Sequence, residues 1–216
     1  MKKLSLLVLV PLLFLVGCSN KTDEPIESTE PATVETSTQS SEPAKDVLKV
    51  ENGPLMNIGE YSDRGNYKVT LLDINSESET TKIDNLEISL KDSKILEYSG
   101  EGALPDDLAF YLDGTSYPFN LLQIQYKVTN NSDDVAYLSG INSVVLGDGK
   151  QHTPFNGQLI DSIVGASIQP HAYIDGLAFV PIDKADISSY KINWGPTLDE
   201  EGYHITETSD TLNIKF

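Results

Sequence analysis

Cysteine occurs once in this chain of 216 residues. A lone thiol excludes intrachain disulfides, cysteine-based zinc ribbons and CxxC redox chemistry. Basic residues are also scarce: 15 Lys and Arg stand against 33 Asp and Glu, for a formal charge of −18 and a pI near 4.3. Phosphate recognition needs clustered cations, so nucleic acid is excluded as a partner. The same charge opposes electrostatic docking on anionic lipid. Histidine appears three times, as His152, His171 and His204, at no spacing typical of a zinc site, and HExxH is absent. GxSxG is missing, as is a glycine-rich loop ahead of a helix. A spanning helix takes about 20 apolar residues, and the N-terminal apolar run extends only from Leu4 to Val16, interrupted by Ser5 and Pro11. No repeat of fixed period is visible.

What is present divides into three stretches. In residues 1–17, Lys2 and Lys3 precede the short apolar run, and small residues follow it, the pattern of a secretory signal. The run closes in Leu15-Val16-Gly17-Cys18. This ending resembles the bacterial lipobox, in which an apolar residue and two mostly small residues precede a cysteine. The resemblance implies cleavage before Cys18, a diacylglyceryl group on its sulfur and acylation of the new N-terminus. Cys18 is then the lipid-attachment residue. Each buried methylene contributes about 0.8 kcal/mol, and two or three acyl chains hold firmly where one does not. The expected location is the extracytoplasmic face of a cell membrane, tethered without spanning it.

Residues 18–48 hold that cysteine and a tract of Ser, Thr, Glu and Pro. Seven acids between Ser19 and Asp46 face only Lys21 and Lys45, and Pro25, Pro31 and Pro43 forbid regular helix. Such a segment buries too little apolar surface to offset its ordering entropy, so the expectation is a disordered acidic linker. Its repelling charges favour extension, beyond the roughly 30 Å mean reach of a flexible coil this long.

Residues 49–216 have the length of one domain, and period-2 alternation marks its strands. Residues 67–74 place Val69 and Leu71 on one face, and 85–90 alternate Leu86, Ile88 and Leu90 with Glu87 and Ser89. The clearest run, Leu122 to Val128, sends Leu122, Ile124, Tyr126 and Val128 inward and Gln123, Gln125 and Lys127 toward water. One solvated face signals antiparallel pairing. Further strands are expected over 135–147, 158–164, 172–181, 189–194 and 210–216. Tyr190, Ile192 and Trp194 share a face, as do Leu212, Ile214 and Phe216. Gly176, inside a strand, marks a bulge or a close backbone approach. Helix is confined to Pro105–Leu112, where an N1 proline precedes two acids. Seven or more short strands between turn signals predict an all-β, immunoglobulin-like antiparallel β-sandwich with at most one short helix.

Residues 119–152, together with two later segments, carry a further resemblance. Val128-Thr-Asn-Asn131, Leu146-Gly-Asp-Gly149, Ile168-Gln-Pro170 and Gly176-Leu-Ala-Phe-Val-Pro181 are similar to a family of Gram-positive surface lipoproteins with an immunoglobulin-like domain. That family is of unknown function and akin to secreted mycobacterial immunogenic proteins. His171 and Ala172 stand where it commonly has glycine and an acid. The resemblance implies a fold and a location and lends no active site.

Chemistry is otherwise sparse. Asp73-Ile-Asn75-Ser-Glu77-Ser-Glu79 has the look of a calcium loop but carries Ser78 where the sharp turn needs glycine and Asp84 at the twelfth position. It reads as a solvated acidic loop. Asp106-Asp107 and Asp133-Asp134 sit where acids cap helix starts and turns. No catalytic, cofactor-binding or metal-ligating set is legible. Tyr98, Tyr111, Tyr117, Tyr126, Tyr137, Tyr173, Tyr190 and Tyr203 serve a core for the most part, or line a groove for a carbohydrate or peptide. The expectation is a non-enzymatic binding module of the cell envelope, with a membrane partner through Cys18 and a protein or envelope partner. The alternatives are a small-ligand-binding accessory lipoprotein of a transporter and, behind it, an envelope hydrolase.

Overall fold

A computed structural model describes residues 48–104, 106–109, 112, 115–156, 158–198 and 211–216. The signal stretch 1–17, Cys18 and the linker up to residue 47 lie outside the described residues, as do Tyr111, Tyr203 and His204. In chain order the strands are β1 (Tyr61–Asp63), β2 (Tyr67–Asn75), β3 (Thr80–Ile83), β4 (Leu86–Gly100), β5 (Phe119–Asn130), β6 (Ala136–Leu138) and β7 (Ile141–Leu146). They continue with β8 (Gln151–His152), β9 (Ile160–Asp161), β10 (Ala166–Ile168), β11 (Tyr173–Ile182), β12 (Ser189–Trp194), β13 (Thr197–Leu198) and β14 (Thr211–Lys215). Helix α1 is a single turn, Asp106–Ala109, within the stretch where helix was expected.

The fold is an all-β sandwich of antiparallel sheets. The large sheet runs β1-β2-β4-β5-β11-β9, with β3 also paired to β4; two smaller sheets run β10-β6-β13 and β14-β12-β7-β8. Between them lies the main core. Leu122, Ile124, Tyr126 and Val128 of β5 meet Ile88 and Ile95 of β4, Val180 of β11, and Ile192 and Trp194 of β12. The alternation read on β5 is thus the period-2 pleat itself, one side of the strand burying every second side chain. Tyr126 packs edge-on against Trp194 at a centroid distance of 4.8 Å and donates its hydroxyl to Asp161 Oδ1 at 2.5 Å. Asp161 also accepts the Ile141 and Ile163 amides, so the buried carboxylate has partners on three sides. Opposite Tyr126 stands Gly176. A Cβ there would overlap the tyrosine ring, so the close-approach reading of Gly176 is the one the structure adopts.

Several boundaries move for physical reasons. The segment 135–147 is two strands in different sheets, broken at Gly140, whose φ of +91° a side-chain-bearing residue rarely adopts. The segment 158–164 keeps only Ile160–Asp161 as strand, because Asp161 turns inward to Tyr126 and the Ile141 and Ile163 amides. Strand β4 runs ten residues past the predicted end at 90, through Lys91-Asp92-Ser93-Lys94, with a register shift between Leu90 and Asp92. A bulge inserts one residue and flips which side chains face the core. After it Ser93 and Ile95 face inward, where Ser93 hydrogen-bonds the Tyr190 hydroxyl.

Candidate functional site

The flip in β4 builds a second apolar surface on the outer side of the large sheet. Leu71, Leu96, Leu121 and Tyr98 are buried there under Leu55 and Leu112. The cross-strand pairs are Leu71 with Leu96 and Leu96 with Leu121, then Ile74 with Lys94 and Lys94 with Gln123. Gln123 and Gln125 are therefore half-buried on this outer face rather than freely solvated. Lys127 lays its ammonium 5.5 Å from the Tyr173 ring, which is 62% exposed.

Four aromatic rings stack at one end. Tyr67 and Tyr98 lie 6.0 Å apart, Tyr98 and Phe119 4.9 Å, Tyr117 and Phe119 5.6 Å, and Tyr67 and Tyr117 6.2 Å, all within 27° of parallel. Of the tyrosines weighed from sequence, Tyr98 and Tyr117 join this cluster, Tyr126 and Tyr190 are core, and Tyr137 is half-buried. Burial pushes the Tyr117 hydroxyl above the ordinary phenol range, with Tyr67 adding to it.

Beside the rings the sheet hollows into a concave pocket of about 350 Å³, its lining including Leu55, Arg64, Tyr67, Lys94, Tyr98, Gln123 and Gln125. Arg64 is the chain's single arginine, and Lys94, 3% exposed, is the one buried lysine among the described residues. No acid lines this pocket among the described residues, in a chain that carries 33. The Lys94 ammonium sits 3.7 Å from Met56 Sδ and 3.7 Å from Asp92 Oδ2. A thioether is a weak acceptor, and 3.7 Å to a carboxylate oxygen exceeds a hydrogen bond. Asp92 Oδ1 is buried without a hydrogen-bond partner, so the loose pair leaves donors and an acceptor unfilled.

Local sequence positions both cations. The β1–β2 hairpin turns at Asp63-Arg64-Gly65-Asn66: Asp63 Oδ1 accepts the Gly65 amide at 2.9 Å, and the Arg64 amide reaches the Tyr67 carbonyl at 2.8 Å. That puts Arg64 at the rim, where it makes no ion pair among the described residues. Glu60 organises the segment over the pocket by accepting the Met56 and Asn57 amides at 2.7 and 3.0 Å and the Asn57 side-chain amide at 2.5 Å. These bonds, Asn57's side chain first, hold the Glu60 carboxyl below its usual value.

A second cleft lies where Asp148, Lys150, Asp183 and Asp186 meet near Leu146. One ion pair spans it: Lys150 Nζ lies 2.7 Å from Asp183 Oδ2 and holds the Asp183 pKa down. His152 is buried on β8, its pKa lowered by burial and then by Lys150. His171 is exposed, 2.9 Å from Asp133, with φ +55°, the left-handed region that glycine takes at no steric cost. The residues of the calcium-like stretch serve the fold: Asn75 Oδ1 accepts the Glu77 amide at 2.6 Å, and its Nδ2 donates to the Lys215 carbonyl. Among the described residues no group of three or more His, Cys, Asp or Glu could hold a metal ion, and no helix is long and apolar enough to cross a membrane.

Sequence reasoning missed Arg64, Tyr67 and Lys94. The signal available was the rarity of arginine; Lys94 was hidden because a polar run ended the predicted strand before the bulge.

No family model and no curated protein matches the chain. A Listeria monocytogenes protein of unknown function aligns over 68% of this chain and 86% of its own, at 13% identity and a TM-score of 0.46. A Bacillus subtilis protein described as a candidate lipoprotein, YcdA, aligns over 64% of this chain and 39% of its own, at 19% identity and a TM-score of 0.41. Likenesses of this size leave fold and site to be argued from the chain's own residues.

Proposed function

We propose that the chain is a lipid-anchored, extracytoplasmic, non-enzymatic binding module of the cell envelope, with the β-sandwich immunoglobulin-like in kind and of the Gram-positive surface lipoprotein class it resembles. Leu15-Val16-Gly17-Cys18 behind a short signal run supports the anchor. The linker holds the acidic domain away from a bilayer that repels it. One observation supports binding: the outer-face pocket, where stacked rings adjoin a buried ammonium whose nearest partners lie 3.7 Å away. Burying a charge costs several kcal/mol unless good hydrogen bonds offset it, so folding alone favours an apolar residue at position 94.

The anchor is tested by growing cells that express the full chain with a radioactive fatty acid. Label in the membrane fraction, lost in Cys18→Ala, is the expected result; a native polypeptide that retains residues 1–17 and carries no added hydrocarbon refutes it. Binding is tested by cross-linking the anchored chain in its envelope. A second reading, a small-ligand carrier, is favoured by the pocket volume, which falls in the range of about 300–1,000 Å³ usual for small-molecule sites.

A further inference from the structure

We infer that the outer-face pocket binds a small carboxylate, with Lys94 as its floor contact, Arg64 as its rim contact and the Tyr67–Tyr98 rings against the ligand's body. This rests on the binding-module reading and names its ligand class. The lining is positive on a chain of charge −18, and it brings together the single arginine and the buried lysine with no acid among the described residues. The Lys94 ammonium has three N–H donors, a thioether and a carboxylate oxygen each at 3.7 Å, and the Glu60 carboxylate near enough to feel its charge; it has capacity for a charge-assisted hydrogen bond. The exposed guanidinium supplies a planar fork that matches a carboxylate. Gln123 and Gln125 add amide groups beside Lys94. A monoanion suits this arrangement better than a dianion, because the surrounding acidic surface repels each further negative charge. Tyr67 and Tyr98, stacked 6.0 Å apart, give a flat amphipathic wall for a ring or a short apolar body.

The test is calorimetric titration of the detergent-purified full chain with phenylacetate, N-acetylalanine and glucuronate, each against its uncharged amide, and with phenyl phosphate as the dianion. N-acetylalanine stands for a peptide C-terminus and glucuronate for an acidic sugar, so the arms distinguish the two sources. At least one acid is expected to bind tenfold or more tightly than its amide and more tightly than phenyl phosphate. Two variants locate it. Lys94→Met with Asp92→Asn removes both buried charges together and is expected to weaken the acid ten- to hundredfold, the size of a lost charge-assisted bond. Arg64→Gln, at an exposed turn position where the fold loses no packing, is expected to weaken it several-fold. Equal binding of acid and amide, unchanged affinity in both variants, or no binding of any acid up to about 10 mM overturns the carboxylate assignment. Labelling of Cys18 and envelope cross-linking are read separately, so the broader reading can stand when this one falls.

Discussion

On β5, Ile124 enters the inner core while its neighbours Gln123 and Gln125 line the outer pocket. The same strands therefore present two surfaces. Inside, Trp194, Tyr126, Ile124 and Val180 are closed to solvent, and Asp161 accepts three hydrogen bonds. Outside, Leu71, Leu96 and Leu121 make a smaller core that gives way, within one row of the sheet, to Lys94, Gln123 and unfilled polar valence. The inner face is densely apolar, and its buried carboxylate is well bonded, although the Trp194 indole N–H has no hydrogen-bond partner. What sets the outer face apart is a buried lysine beside an open pocket, and departures from the rules of a folded core concentrate at functional sites.

Substitutions can break or sharpen this contrast, and the largest effects belong inside. Trp194→Ala, at 0% exposure, is expected to cost about 3–5 kcal/mol, read from urea unfolding. Gly176→Ala drives a methyl group into the Tyr126 ring and is expected to cost about 1–3 kcal/mol. An equally stable Gly176→Ala protein would show that the two strands separate more easily than their pairing implies. The outer-face double variant Lys94→Met, Asp92→Asn, in contrast, is expected to stay within about 1 kcal/mol of the parent or to gain stability, since apolar replacement of a poorly bonded buried pair is often neutral or favourable. A large loss there would assign Lys94 to folding.

Acidity offers a subtler test. The lowered pKa of His152 means the unfolded chain takes up a proton before the folded chain does. Its contribution to stability is complete above about pH 6.5, the unfolded value, and declines as pH falls from there toward the folded value. Asp161, whose pKa burial raises, acts with the opposite sign, so the comparison is between parent and His152→Gln. The variant is expected to lose less stability between pH 7 and 5 in urea titrations. A parallel pair of curves would remove His152 from the account. The smallest change is expected of His171→Gly, within about 1 kcal/mol, because relief of the φ +55° backbone is offset by the freedom glycine adds to the unfolded chain.

The strand Leu122–Val128 was legible because one of its faces is uniformly apolar, and period 2 needs no knowledge of the partner strand. The segment Leu146-Gly-Asp-Gly149, quoted for its resemblance, is a hairpin turn: Gly149 has φ +88°, and its amide closes onto the Leu146 carbonyl at 2.8 Å. The second half of β4 was not legible. Its Lys-Asp-Ser-Lys run breaks the apolar alternation, and only a bulge, which depends on pairing with β5, returns Ile95 to the core and turns Lys94 outward. The pocket stayed hidden for the same reason, as Arg64, Lys94 and Gln123 are far apart in sequence and meet through strand register.

Local order along the chain thus determined the composition of the ends, the all-β character and the alternation that makes one side of each strong strand apolar, because these depend on neighbours two residues apart. The tertiary structure alone decided that both faces of the large sheet would carry apolar side chains, and that a lysine would be enclosed opposite Gln123. Long-range pairing sets which side chains share a surface, and a one-residue shift of register sends every one of them to the other side.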